Sequence, residues 1–370
     1  MTPPIRLGVP AIEKITVSTY SIPTDFPESD GTLEWNKTDV VVVQVHSEKV
    51  FGLGYTYADP ATGHLINELL APIVKNRDAM DIHGSWCAMV RAIRNLGRPG
   101  ISSMAIAAVD NALWDLKAKL LNLPLVKLLG QVRDSVEVYG SGGFTSYSDY
   151  QLRAQFSGWR EKGIRMLKMK VGRAREDDMR RVRTAREAIG NSAQLFVDAN
   201  GAYSRKQALD FADRFRHFGV SWFEEPVSSD DLDGLRLLRD RAPEGMEIAA
   251  GEYGYDSRYF RRMLEAQAVD VLQADATRCA GVTGFLKAGA LCEAHCLPFS
   301  AHTAPSVHMH VCCCVPAVRH LEYFHDHVRI EQMLFEGVVR PKDGRLYPDL
   351  TRPGIGLELR TADARRYEAA

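Results

Sequence analysis

The sequence predicts an α/β protein: a (β/α)8-type TIM barrel behind an N-terminal α+β capping domain. Three observations predict it. Short β-rich runs centre on Val138, Leu167, Phe196, Phe223, Ile248, Val271, Phe299 and Leu321, 22 to 29 residues apart, with helix-like stretches between most of them. Eight such strand–helix units close a barrel, whereas an open doubly wound sheet shows the same alternation with fewer strands. Every run from the second to the eighth ends on a polar side chain, where a barrel of this kind carries its site. Ahead of the runs stand three strand-like and then three helix-like segments, the pattern of a separate α+β unit.

In chain order, Ile12–Ile22 and Val40–Val45 are rich in β-branched residues, and Phe51-Gly-Leu-Gly-Tyr55 reads as the end of a hairpin. Helical patterns follow over Ala61–Lys75, Ile82–Asn95 and Ser102–Leu121, the last with Ser102 and Ser103 as capping candidates and a stop before Pro124. From about Ser135 the barrel rhythm begins, with helices such as Glu176–Ile189, Ser204–Phe218 and Gly284–His295; the last, around Val307–Val315, is short. After Phe324 the chain reads as irregular, with turns at Pro341-Lys-Asp-Gly344 and Pro353-Gly354. The expected division is a cap over 1–130, a barrel over 131–324, and a segment over 325–370 that packs back on the cap.

The 370 residues are 45% apolar and 25% charged, as in an ordinary globular protein. Lys+Arg 46 against Asp+Glu 47 leaves a net charge of −1, so neither nucleic acid nor a membrane surface is expected as a partner. No apolar run approaches the ~18 residues of a spanning helix. The opening MTPPIRLGVP lacks the apolar centre of a secretory leader, so a cytoplasmic location is expected. Seven cysteines, three of them consecutive at Cys312–Cys314, read as reduced and buried thiols. Gly52-Leu-Gly54 lacks the third glycine of a dinucleotide loop, and no phosphate-loop pattern is present. Arg180, Arg181, Arg183 and Arg186 follow three acids and read as a solvated helix face. The Cys292/His295/Cys296 and His308/His310/Cys312 groups lack paired zinc spacing and read as core.

The strand ends carry the chemistry. Asp198, Glu224 and Glu252 stand at matching heights on three successive strands. Neighbouring strands lie about 4.8 Å apart, so these anions repel unless a cation sits among them, and three carboxylates with open positions suit Mg²⁺. Glu225 competes with Glu224, and spacing alone does not choose. Lys168 and Lys170, two apart on a strand, face one side and should depress each other's pKa, with the nearby metal lowering it further, which would leave Lys170 free to act as a base. Asp275 and His302 lie across the barrel, a carboxylate beside an imidazole. Glu322, in a crowded anionic site, is expected to stay protonated and donate a hydrogen bond.

These residues carry a resemblance. Leu167-Lys-Met-Lys-Val171, Val197-Asp-Ala-Asn-Gly201, Trp222-Phe-Glu-Glu-Pro226, Ala250-Gly-Glu252, Asp275-Ala-Thr-Arg-Cys-Ala-Gly-Val-Thr-Gly284, Ser300-Ala-His302, Glu322 and Pro353-Gly-Ile-Gly-Leu-Glu358 follow one another in order. Over its whole length the chain resembles the enolase superfamily, and within it the mandelate racemase subgroup. The resemblance implies an enolase-like modified barrel, with Mg²⁺ on Asp198, Glu224 and Glu252. It implies acid/base work by Lys170 supported by Lys168, a facing His302–Asp275 dyad, and Glu322 donating to a substrate carboxylate. Asn200 would line the pocket and Arg278 its edge; Ala280, where relatives often carry glycine, is a minor departure. Specificity would come from cap loops Thr24–Thr38 and Tyr55–Gly63, with Trp35 and Tyr55 touching substrate. Acidic and aromatic residues with one lysine, Lys37, suit a polyol better than a second carboxylate. The implied reaction removes the proton alpha to a carboxylate through an enediolate. Dehydration of a monocarboxylic acid sugar to a 2-keto acid leads, with racemisation or epimerisation of a 2-hydroxy acid as the alternative and a non-catalytic binding barrel as the remote one. A homo-oligomer is expected.

Overall fold

The computed structural model describes residues 10–369; residues 1–9, on which the leader reading rests, lie outside those described. The cap opens with an antiparallel sheet of β1 (Lys14–Ser29), β2 (Glu34–Ser47) and β3 (Val50–Thr56). Most of the expected loop Thr24–Thr38 is strand: β1 and β2 pair out to Ser29 and Glu34, with an irregularity between Pro23 and Glu28. Proline interrupts a ladder at such bulges, which hides the strand from a β-propensity reading. The glycines of β3 are packing glycines. A Cβ at Gly52 would lie 2.1 Å from Ala112 O, and one at Gly54 2.2 Å from Ala108 O, so helix Ile101–Leu120 rests directly on the strand. That helix starts from Gly100 without a side-chain cap. Ser103, expected as a cap, instead donates to Tyr255 O at 2.6 Å and ties cap to barrel.

Eight parallel strands follow: β4 (Val136–Gly142), β5 (Met166–Lys170), β6 (Gln194–Asp198), β7 (Val220–Glu224), β8 (Glu247–Ala250), β9 (Val271–Ala274), β10 (Phe299–Ala301) and β11 (Val318–Phe324). Each pairs with the next, and β11 pairs with β4 to close the barrel. Tyr139, Met166, Phe196, Trp222, Ala249 and Val271 fill a layer of its interior. Helices Arg175–Ile189, Arg205–Arg216 and Gly281–Ala294 lie where periodicity puts them, and Ser204 with Gln207 forms a capping box. The short expected helix is Pro305–Cys312.

Helix His325–Leu334, and the short Thr361–Ala364 further on, stand where the chain reads as irregular. The first of them bears on the site. Its buried residues are Asp326, His327 and Glu331 as well as Ile330 and Leu334, so no apolar period marks it. The tail then contacts both units: Arg345–Leu346 pairs with β4, Gly354 bridges Pro124, and Ala369 N–H donates to Thr19 O. The seven cysteines are free thiols. His308 accepts from Ala276 N–H through Nε2 and bonds Thr303 O through Nδ1, a satisfied core histidine. Among the described residues, no helix is long and apolar enough to cross a membrane.

Candidate active site

Strand register assembles the floor of the site. Lys170 pairs with Asp198 and Asp198 with Glu224, so the ends of β5, β6 and β7 meet at one level. Glu252 follows β8 by two residues. One oxygen from each of Asp198, Glu224 and Glu252 lies within 4.8 Å of the others, and all three residues are buried. Burial, and next the charge of Asp198, push the Glu224 carboxyl above its usual range. Three buried carboxylates converging through oxygen atoms alone fit a divalent cation such as Mg²⁺. Glu225 turns away from the strand at φ 38°, and Glu224 is the member that joins the cluster.

The two lysines differ. Lys168 is fully buried, with Nζ 2.5 Å from Glu224, 2.9 Å from Glu322 and 3.4 Å from Asp198. Lys170 reaches Asp198 at 2.5 Å and Asn200 at 3.1 Å, and it faces the cavity above. The carboxylates around it oppose the expected depression of Lys170. Burial and Lys168 do pull it down, but Asp198 and the two glutamates outweigh them and hold its pKa above the ordinary lysine value. Glu322 is corrected likewise. Burial favours its protonated form, yet Lys168 and His302 win and leave it below the usual glutamate value, ionised.

His302 directly follows β10. Its Nδ1 bonds Asp275 Oδ2 at 2.8 Å, and its Nε2 lies 3.2 Å from Glu252 and 3.7 Å from Glu322. Burial works against its charge, but Glu252, Glu322 and the Asp275 bond raise the imidazole to about 9. Thr277 donates to the other Asp275 oxygen through both N–H and hydroxyl, so the orienting carboxylate is itself fixed. Lys170, Asn200, Glu252, His302 and Glu322 open on one cavity of about 390 Å³. The cap roofs it. A Cβ at Gly31, in the turn between β1 and β2, would lie 2.3 Å from Ala199 O and 2.7 Å from Val171 O; the hairpin tip rests on the loops after β5 and β6.

Comparison with known proteins agrees with this construction. Residues 151–364 match the family model described as Enolase C-terminal domain-like, and residues 14–130 match the mandelate racemase / muconate lactonizing enzyme N-terminal domain. The chain belongs to the mandelate racemase/muconate lactonizing enzyme family of the enolase superfamily. A mandelate racemase/muconate lactonizing enzyme-like protein from Rubrobacter xylanophilus is 53% identical with TM-score 0.96, covering 97% of this chain and 100% of that one. The L-talarate/galactarate dehydratase of Salmonella typhimurium strain LT2 is 33% identical over 368 residues, 96% of this chain and 90% of that protein. Its structure liganded with Mg and L-lyxarohydroxamate superposes with TM-score 0.89 at 31% identity, covering 98% and 94%. A racemase from Streptomyces coelicolor A3(2) with bound magnesium is 29% identical with TM-score 0.91, covering 97% and 100%.

Several residues stand elsewhere than the sequence places them. Tyr55 does not reach the cavity: it is fully buried within β3, and its hydroxyl donates to Glu331 at 2.5 Å. The wall begins two residues later, at Tyr57 and Asp59. Trp35 does line it, with Nε1 bonded to Glu28 at 2.9 Å, and Arg278 lies at its edge between Glu252 at 3.4 Å and Asp275 at 3.8 Å. The arginine run is not uniformly solvated. Arg180 is exposed, but Arg181 is buried and donates to Lys170 O, Gly143 O and Phe144 O, bracing the end of β5 from the outer helix. Sequence reasoning missed Tyr253, Thr303, Phe324 and His327 in the wall. Only the pair His325-Asp-His327 just past β11 offered a signal. A larger hollow of about 740 Å³ lies at the opposite end of the strands, where Arg186 is spent on the carbonyls of Phe218, Gly190, Ala193 and Gly219.

Proposed function

We propose that this chain is a magnesium-dependent hydro-lyase that converts a monocarboxylic acid sugar to a 2-keto-3-deoxy acid. The observation that carries this is one cavity with Lys170 on one side, the His302–Asp275 dyad on the other, and three buried carboxylates in the floor between them. Magnesium, held by Asp198, Glu224 and Glu252, stabilises negative charge on the substrate carboxylate when bound. Lys168 stays locked among carboxylates and positions the floor. Asp275 fixes the Nδ1–H of His302, so Nε2 faces the reacting carbons. Of Lys170 and His302, one takes the alpha proton and the other gives a proton to the departing beta hydroxyl. The resulting enol tautomerises to the keto acid, and one water is released. An incoming carboxylate raises the Glu322 pKa through like-charge repulsion, the condition under which Glu322 donates to it. Asn200, Arg278 and Trp35 line the substrate.

A single carboxylate is favoured because the cations facing the cavity already have partners: Lys37 with Asp39 at 3.1 Å, Arg278 with Glu252, and Lys170 with Asp198. Racemisation or epimerisation is the second reading, supported by proton-carrying groups on both sides and by the magnesium-bound racemase among the neighbours. Incubation of acid sugars with Mg²⁺ in D₂O separates the two. Appearance of a 2-keto acid is the expected result. Deuterium incorporation with inversion and no keto acid would establish the racemase, and metal binding with neither would leave a binding barrel. The same reading takes the chain as a cytoplasmic homo-oligomer divided at 1–130, 131–324 and 325–370. Free thiols support the reducing compartment, and sizing chromatography tests the oligomer.

A further inference from the structure

The helix after β11 brings His327 into the cavity wall, and none of the chemistry above uses it. Its ring lies parallel to that of Tyr57, with centroids 3.4 Å apart and planes at 11°, while Phe324 meets it edge-on at 5.1 Å. The Tyr57 hydroxyl donates to the His327 carbonyl at 3.3 Å. Cap and barrel therefore hold the imidazole in one plane. Its Nδ1 is buried with no hydrogen-bond partner. A buried polar atom left without a partner is costly, and the same ring borders the cavity in which a ligand would lie.

We propose that His327 hydrogen-bonds a hydroxyl group on the tail of the substrate and so selects acid sugars over short hydroxy acids. The proposal rests on the acid-sugar reading and names the residue that reads the tail. Burial, and next the charge of His302, hold the imidazole well below the usual histidine range. At neutral pH the ring then carries one N–H and one lone pair. It can donate to or accept from a hydroxyl. The tail it receives is hydroxylated.

The test is calorimetric binding of a pentonohydroxamate and of glycolohydroxamate to the Mg²⁺-loaded protein. Wild type is expected to prefer the longer ligand. His327→Phe keeps a ring over Tyr57 and loses both nitrogens; it should weaken the pentonohydroxamate about tenfold and glycolohydroxamate far less. His327→Gln, which still donates and accepts, should recover part of the loss, and it carries the test if the phenylalanine variant does not fold. Equal weakening of both ligands, no weakening, or a wild type without preference for the longer one overturns the proposal. Long-ligand binding that depends on His327, with no 2-keto acid from any acid sugar, supports it while refuting the dehydratase.

Discussion

The floor of the cavity is made of strand ends, whereas its roof comes from the β1–β2 hairpin, the chain after β3 and the start of the helix after β11. In the floor the functional groups sit within two residues of a strand end, in a barrel whose register is fixed all the way round. Its chemistry is dense, buried and paired charge. In the roof, aromatic rings and single polar atoms come from segments far apart in the chain, as in the stack of Tyr57 on His327. Under the proposed function, the difference assigns the choice of bond to the floor and the choice of molecule to the roof.

If that division is right, the largest effects belong to the floor. Lys170→Ala and His302→Asn should each lower turnover by about 10²–10⁴. Only the variant that keeps the abstracting group should still exchange the alpha proton with solvent deuterium, read by NMR. Wild-type turnover in both would falsify the two-sided mechanism. Next come the carboxylates. Asp198→Asn, Glu224→Gln and Glu252→Gln should each weaken Mg²⁺ binding by about 10–100-fold or more, measured by titration, and EDTA should abolish turnover. Glu225→Gln should do less; the reverse ranking would place the metal on the other member of the pair.

Roof and framework are separated by two aromatic substitutions. Trp35→Ala should raise KM by about tenfold through lost contact. Tyr55→Phe should leave KM in place while costing about 1–3 kcal/mol of stability, because Glu331 loses a buried partner. A KM shift in Tyr55→Phe without loss of stability would return Tyr55 to the cavity wall. A further effect, on stability alone, concerns the layer beneath the floor. Burial, helped by Arg319 and Lys168, holds His320 down to about 3. The unfolded chain therefore binds a proton there that the folded chain refuses, so stability falls as pH drops from about 6.5 toward 3. Relative to His320→Gln, wild type should lose about 1.4 kcal/mol per pH unit in that window, read by urea unfolding at several pH values. Parallel curves for the two proteins would remove His320 from the account.

The floor was legible because its signals are local. A charged residue ending a β-rich run, repeated on successive strands, names its own position and facing. The roof was not, for physical reasons that differ from residue to residue. Which of Tyr55 and Tyr57 lines the cavity depends on where β3 stops, and nothing in the run of residues marks that end. His327 sits on a helix whose buried residues are partly polar, so no apolar period announces it. The charge balance at Lys170 and Glu322 was not legible, because repulsion between two lysines is visible in sequence while the attraction of the carboxylates around them depends on distances that only the folded barrel sets.

Arg181 carries a consequence for how natural variants of this chain should be weighed. It belongs to a run of four arginines on a highly charged outer helix, and its neighbour Arg180 reaches outward to Asp149 and Asp177. Genetic drift can exchange Arg180 for another polar residue at little expense. Arg181 spends its guanidinium on three backbone carbonyls, one of them that of Lys170, and planar multidentate donation of this kind is beyond a lysine. Two adjacent arginines thus meet unlike structural demands. An allele carrying Arg181→Lys would look conservative on paper and still misalign the residue on which the proposed proton transfer depends.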